Sequence, residues 1–144
     1  MKKINEQATK IFCRLIDKMN NEEYLKLSAE GYMPLVIERI AENIMTDFGA
    51  AKLYSLAHYY EQNGDLMSDP QMCFLVIDQR TQTKDIEHIF IYPQMYQLDG
   101  LGIYEESILI KDNRVIGCKK AWQDGHCGFA NLWLNNIRQQ GFLK

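Results

Sequence analysis

Residues 53–77 read Leu53-Tyr54-Ser55-Leu56-Ala57-His58-Tyr59-Tyr60-Glu61-Gln62-Asn63-Gly64-Asp65-Leu66-Met67-Ser68-Asp69-Pro70-Gln71-Met72-Cys73-Phe74-Leu75-Val76-Ile77. The first part, with Leu53, Tyr54, Leu56, Tyr59 and Tyr60, is rich in side chains that fit a pleated surface. The last part, Met72 to Ile77, is a short apolar run of the length of a central strand. Between them, Asn63-Gly64 is a strong turn signal, because both residues accept left-handed backbone angles. Asp69-Pro70 starts a second turn, since Pro drives the preceding residue out of the α region. The stretch predicts two strands joined by a long, ordered connection, and it assigns the middle of the chain to a sheet.

Towards the C-terminus, residues 80–85 are polar and read as a loop. Ile86 to Tyr96 resumes the strand pattern through Ile89, Phe90, Ile91 and Tyr92, and Pro93 marks an edge, a bulge or a strand end. Residues 98–102 form a turn. Residues 107–111 and 114–118 form a hairpin around Asp112-Asn113, a pair that tolerates the positive φ of a two-residue turn. A last helix begins near 125–128, with Phe129, Leu132, Trp133, Asn136 and Ile137 on one face and Gly141 closing it.

Towards the N-terminus, Ala8, Ile11, Phe12, Leu15, Ile16 and Met19 follow the three-four spacing of an amphipathic helix. Asn20 with Glu23 resembles a capping box and predicts a second helix ending at Gly31. Pro34 suits the first turn of a third, lined by Val36, Ile37, Ile40 and Ile44. Three helices, about five strands and one final helix predict an α+β fold. An antiparallel sheet would carry the C-terminal helix packed on one face.

The chain has 144 residues, enough for one domain spanning 1–144 and not for two ordinary ones. Apolar residues make up 47% and charged residues 24%, a composition that argues against disorder. Sixteen Lys and Arg against nineteen Asp and Glu give a net charge of −3, which excludes a strongly basic nucleic-acid binder. Lys2-Lys3 is followed by polar residues rather than the apolar core of a signal peptide, so the chain is expected to be soluble, unprocessed and cytoplasmic. Cys13, Cys73, Cys118 and Cys127 are scattered and include no C-x-x-C pair; four free thiols are expected.

The most specific feature is the segment from His58 to Met72. It resembles an uncharacterised domain family of bacterial and phage mobile elements, in which a Tyr-rich strand end continues through Gln-Asn-Gly-Asp to Asp-Pro. Tyr59, Tyr60, Gln62, Asn63, Gly64, Asp65, Asp69 and Pro70 match that pattern, and Met33-Pro34-Leu35 is similar to a helix start in the family. Gln71 stands where the family often has Glu. The resemblance spans residues 30 to 95. It implies a compact α+β domain encoded on mobile DNA and supplies no activity.

The residues themselves admit two readings of this segment. One is a structural connection. The other is a polar binding site built from His58, Tyr60, Gln62, Asn63, Gly64, Asp65 and Asp69. On a strand, residues 58, 60 and 62 share a face by period two and would point an imidazole, a phenol and an amide towards the loop carboxylates.

Other constellations are weaker. Asn63, Asp65 and Asp69 lack the spacing of a calcium loop. Asp69, Asp78, Arg80 and Glu87 include an Arg where metal-dependent nucleases use Lys. Cys118, His126 and Cys127 lack a fourth zinc ligand, and as a Cys/His catalytic pair they lack an orienting partner. Residues 99–102 lack the Lys of a phosphate loop. Lys119-Lys120 with Trp122 is a small basic-aromatic cluster.

The expectation is therefore an uncharacterised accessory module that binds a protein, less readily nucleic acid, without catalysis. The alternative is a small hydrolase-type enzyme using the polar residues of 58–69. No cofactor, metal site or membrane association is expected, and the sequence does not set the oligomeric state. The two classes differ in an observable. An enzyme needs a concave pocket converging on His58, Asp65 and Asp69, and a binding module needs an exposed apolar patch.

Overall fold

In a computed structural model, which describes residues 1–144, the chain opens with helix α1 (Glu6–Met19). Asn5 caps it by accepting from the Ala8 N–H at 2.8 Å, and the predicted stripe is buried except for the half-buried Ile16, with Phe12 and Leu15 fully enclosed. Eight strands follow: β1 (Tyr24–Leu27), β2 (Leu35–Thr46), β3 (Gly49–Gln62), β4 (Asp65–Asp78), β5 (Ile89–Leu98), β6 (Ile103–Glu106), β7 (Ile108–Lys111) and β8 (Arg114–Cys118). Helix α2 (Lys120–Gln139) ends the fold. The class is α+β, as predicted, with two helices rather than four. No helix is long and apolar enough to cross a membrane.

The strands run in the order β6-β5-β4-β3-β2-β8-β7, and β1 pairs with β2. All pairs are antiparallel except a short parallel contact of β2 with β8 at Met45 and Arg114, so the sheet is mixed. Its two end strands, β6 and β7, are consecutive in sequence with only Ser107 between them. The sheet must therefore curl until its ends meet at Ser107, whose N–H donates to the Gln94 carbonyl of β5 at 2.8 Å.

Curling creates two cores from the period-two alternation of each strand. Met72, Phe74 and Val76 of β4 face the helices and pack with Phe12, Leu15, Leu56 and Trp133. Their neighbours Leu75 and Ile77 face the inside of the curl and meet Ile44, Ala51, Tyr92 and Ile108. The helix stripe thus packs on every second residue of the 72–77 run. The N-terminal segment covers one edge, since the Ile4 N–H donates to the Ile91 carbonyl at 3.0 Å.

Several elements differ from the sequence expectation. The second predicted helix is strand β1, because Asn20 is not a helix start. It is the C-cap of α1 in the left-handed region, at φ 51°, and Asn21 follows at φ 64°. The third predicted helix is β2, paired with β3 along nearly its whole length. The connection between the two central strands is mostly strand: pairing continues to Gln62 opposite Asp65, and only Asn63 and Gly64 turn, at φ 54° and 85°. The sheet has eight strands rather than five. Helix α2 begins at Lys120, ahead of the predicted 125–128.

Candidate functional site

The long hairpin β3–β4 holds every residue of the predicted polar site, and it spreads them along its length. His58 is 7% exposed and turned towards the helices, with its ring 5.8 Å from Trp133 and 5.5 Å from Phe142. Its Nδ1 lies 3.2 Å from the carbonyls of both Met33 and Pro34. Carbonyl oxygens only accept, so Nδ1 carries the proton and donates. Burial pushes this imidazole below its ordinary pKa, and the two carbonyls offset part of that shift.

Tyr60 is half-buried and brings its hydroxyl close to the backbone of Gly100, where an added Cβ would lie 3.4 Å from Oη. Gln62, Asn63, Gly64 and Asp65 form the exposed tip. Asp69 is half-buried in the irregularity where β4 slips against β3, between the pairs Ala57–Gln71 and Tyr59–Ser68, and its peptide bond to Pro70 is cis. Four residue steps along the strand take His58 to Gln62 at the tip, about 13 Å at the usual rise. His58 and Asp65 therefore do not converge on one pocket. Asp69 lies in the stretch of β4 alongside His58.

The irregular part of β4 is fixed from the far side. Asp99, in the 3₁₀ turn Asp99–Leu101 after β5, accepts from the Ser68 N–H at 2.7 Å and from Gln97 Nε2 at 2.7 Å. These bonds, the backbone one foremost, hold its carboxyl below the ordinary range. Gln71, the residue that departs from the family pattern, bridges Ser68 and Ser55 through its amide. A carboxylate there could not donate to the Ser55 hydroxyl.

What the hairpin does present is an apolar and aromatic face. Tyr24 and Lys26 of β1, Pro34 before β2, Val36 of β2, Tyr59, Tyr60 and Glu61 of β3, and Leu66 of β4 line a shallow hollow of about 240 Å³. Tyr24 is 54% exposed and Leu66 63%. Val36 alternates with the buried Leu35 and Ile37, so this face is turned away from the helices. Beside it, β1 pairs only with β2, and its outer backbone edge makes no bond within the chain. Of the residues lining this face, only Tyr60 belongs to the polar site expected from the sequence; Tyr24, Lys26 and Val36 were missed because their segments read as helices, and Tyr59, Glu61 and Leu66 because that site was assembled from other polar groups.

The remaining constellations resolve into structure. Asp78 and Arg80 pair in bidentate fashion at 2.9 and 2.8 Å, and Arg80 also donates to the Thr83 carbonyl at 3.0 Å. Burial would raise the Asp78 carboxyl, but the bonds from Arg80 outweigh it and hold the group low. The pair floors a polar cleft of about 460 Å³ with Asp17 and Lys52 at its side. Asp69 lies elsewhere, in the irregular stretch of β4.

His126 bonds Glu105 through Nε2 at 2.8 Å and the Ser107 hydroxyl through Nδ1 at 3.0 Å. This chain of carboxylate, imidazole and hydroxyl has the order of a hydrolytic triad, yet Ser107 is fully enclosed and its hydroxyl also reaches the Gln94 carbonyl at 3.2 Å. A nucleophile needs access to substrate; this serine ties the strand switch to α2. Cys127 directs its thiol to the Lys3 carbonyl at 3.1 Å, so Cys118, His126 and Cys127 do not converge.

A family comparison covers nearly all of these elements. A model described as Domain of unknown function (DUF6908) matches residues 7–143, from α1 to the residues after α2. The chain belongs to that family. The DUF6908 match spans both helices and all eight strands, so the hairpin and the curled sheet are parts of one family domain. No curated protein and no solved structure matches the chain.

Proposed function

We propose that this DUF6908 domain is a non-catalytic module that binds a protein partner through the β3–β4 hairpin and the neighbouring edge of β1. The observation that supports it is the exposed face of Tyr24, Pro34, Val36, Tyr59 and Leu66, which continues into an unpaired strand edge. Aromatic side chains give large contact area at low entropic cost, and a free edge offers backbone bonds to an extended segment. Asp65 and Gln62 at the tip supply polar contacts at the rim, with Tyr60, Asn63 and Gly64 shaping the arm. His58 and Asp69 support its base. Glu61 and Asp65 beside the face, and the net charge of −3, favour a protein over nucleic acid. The mobile-element resemblance agrees with an accessory role inside the host cell.

The test replaces Leu66 with a photo-crosslinking amino acid in the native host and identifies adducts by mass spectrometry. A control places the crosslinker at Leu132, exposed on α2. The expected result is one dominant protein adduct from position 66, absent from position 132 and lost in Tyr24→Ser and Asp65→Asn backgrounds. Equal adducts from both positions, or an adduct indifferent to both substitutions, would overturn the proposal.

A further inference from the structure

The curl of the sheet leaves a hollow of its own, distinct from the hairpin face. One end of the interior is filled by Leu75, Ile77, Tyr92 and Ile108. The other opens into a hollow of about 410 Å³, within the range of small-molecule sites. Ile44, Leu53 and Ile110 form apolar wall, and Gln94, Gln97 and Glu106 bring polar groups to it.

Gln94 is the informative residue. It is the extra residue of a bulge, since Phe74 pairs with Pro93 and Cys73 with Met95. Bulges redirect side chains, and this one sends an amide into the interior, where Gln94 is only 5% exposed. Its Nε2 donates to the Ile108 carbonyl at 2.9 Å, which fixes the amide's orientation. Gln94 lines the hollow, and its Oε1 accepts no hydrogen bond from the protein. Since that oxygen accepts nothing from the protein, it is free to accept from a ligand that enters the hollow.

The neighbours present the same chemistry. Gln97 commits Nε2 to Asp99, leaving its oxygen free. Glu106 receives the Tyr104 hydroxyl on Oε1 at 2.7 Å, leaving Oε2. Glu106 is the only charged side chain in the lining. The hollow therefore offers acceptors and negative charge above an apolar wall.

We propose that this hollow binds a small organic amine, its apolar body against Ile44, Leu53 and Ile110 and its protonated amino group among Gln94, Gln97 and Glu106. The complementarity excludes carboxylates of the same shape. The experiment titrates isotope-labelled protein with tryptamine and with indole-3-acetate, which share a ring system and differ in the sign of charge. Tryptamine should shift the side-chain amide signals of Gln94 and Gln97 saturably and bind at least tenfold tighter than indole-3-acetate. Glu106→Gln lies on the exposed rim; it should keep the melting temperature and reduce the tenfold preference to near parity. Amide signals unmoved by millimolar tryptamine, equal affinity for the two probes, or a preference that survives Glu106→Gln would each overturn the proposal. The two wild-type titrations decide without the variant.

Discussion

The backbone N–H of Ser68 donates to the carboxylate of Asp99 at 2.7 Å, so the irregular arm of β4 is held by a turn 31 residues further along the chain. Removing the acceptor leaves a part-buried donor unpaired, and Asp99→Ala should cost about 1–2 kcal/mol. Asp99→Asn retains an acceptor and should cost less. The folded-state pKa of Asp99 is depressed, so its contribution is present above the unfolded value of about 4 and is lost as pH falls through the depressed folded value. Urea midpoints measured from pH 6 down to pH 2.5 should fall less steeply for Asp99→Asn than for wild type. Parallel curves would show that the bond gives no charge-dependent stability.

The helix-facing position of His58 adds a second acid-side step, at higher pH than that of Asp99. Burial between Trp133 and Phe142 disfavours its charged form, and its folded pKa lies below the usual value of about 6.5. The unfolded chain then binds the extra proton first. Stability from this residue is full above pH 6.5 and declines as pH falls towards the folded value. Wild type should lose more stability between pH 7.5 and pH 5 than His58→Leu does, in chemical denaturation at both pH values. An equal loss in the two proteins would mean that another group sets the step.

Local backbone chemistry was legible in the sequence, and longer-range pairing was not. Asn63-Gly64 and Asp112-Asn113 were readable as turns because their positive φ angles are properties of those residue types. The length of the hairpin arm was not readable, because Glu61, Gln62 and Asp65 carry no apolar signal and are strand only through their partners. β2 imitated a helix for a definite reason. Two register shifts, between Arg39 and Ala41 and between Ala41 and Ile44, break its period of two. Ile37 faces the helices and Ile44 faces the inside of the curl, and their spacing across the shifts looks like one helical stripe. Little of the candidate face was legible: Tyr60 alone was singled out on its hairpin side, and its β1 and β2 side was hidden by the two false helices.

The four thiols separate by burial. Cys118 is exposed, whereas Cys13, Cys73 and Cys127 are buried. Burial raises the pKa of all three enclosed thiols and pushes Cys73 up to about 12. The thiolate is the reactive form, so one thiol should react quickly with Ellman's reagent at pH 8 in the native protein and four in denaturant without reductant. Cys118→Ser should abolish the fast phase. A denatured count below four would reveal a bridge that the fold does not contain.

Three glycines with equally open surroundings should respond to alanine with opposite signs. An added Cβ at Gly125, Gly128 or Gly64 would meet no atom within 4 Å. Gly125 and Gly128 lie on the exposed face of α2, where glycine loses more backbone entropy on folding than alanine. Each should gain about 0.5–1 kcal/mol as alanine. Gly64 holds φ 85° at the hairpin tip, where a Cβ crowds the following carbonyl, and Gly64→Ala should lose about 1–2 kcal/mol. Since steric space is the same, the sign isolates the backbone conformation. Thermal and urea unfolding of the three single variants would measure it. A stabilising Gly64→Ala would mean that the tip does not hold its left-handed turn, and the polar rim of the proposed docking face would lose its shape.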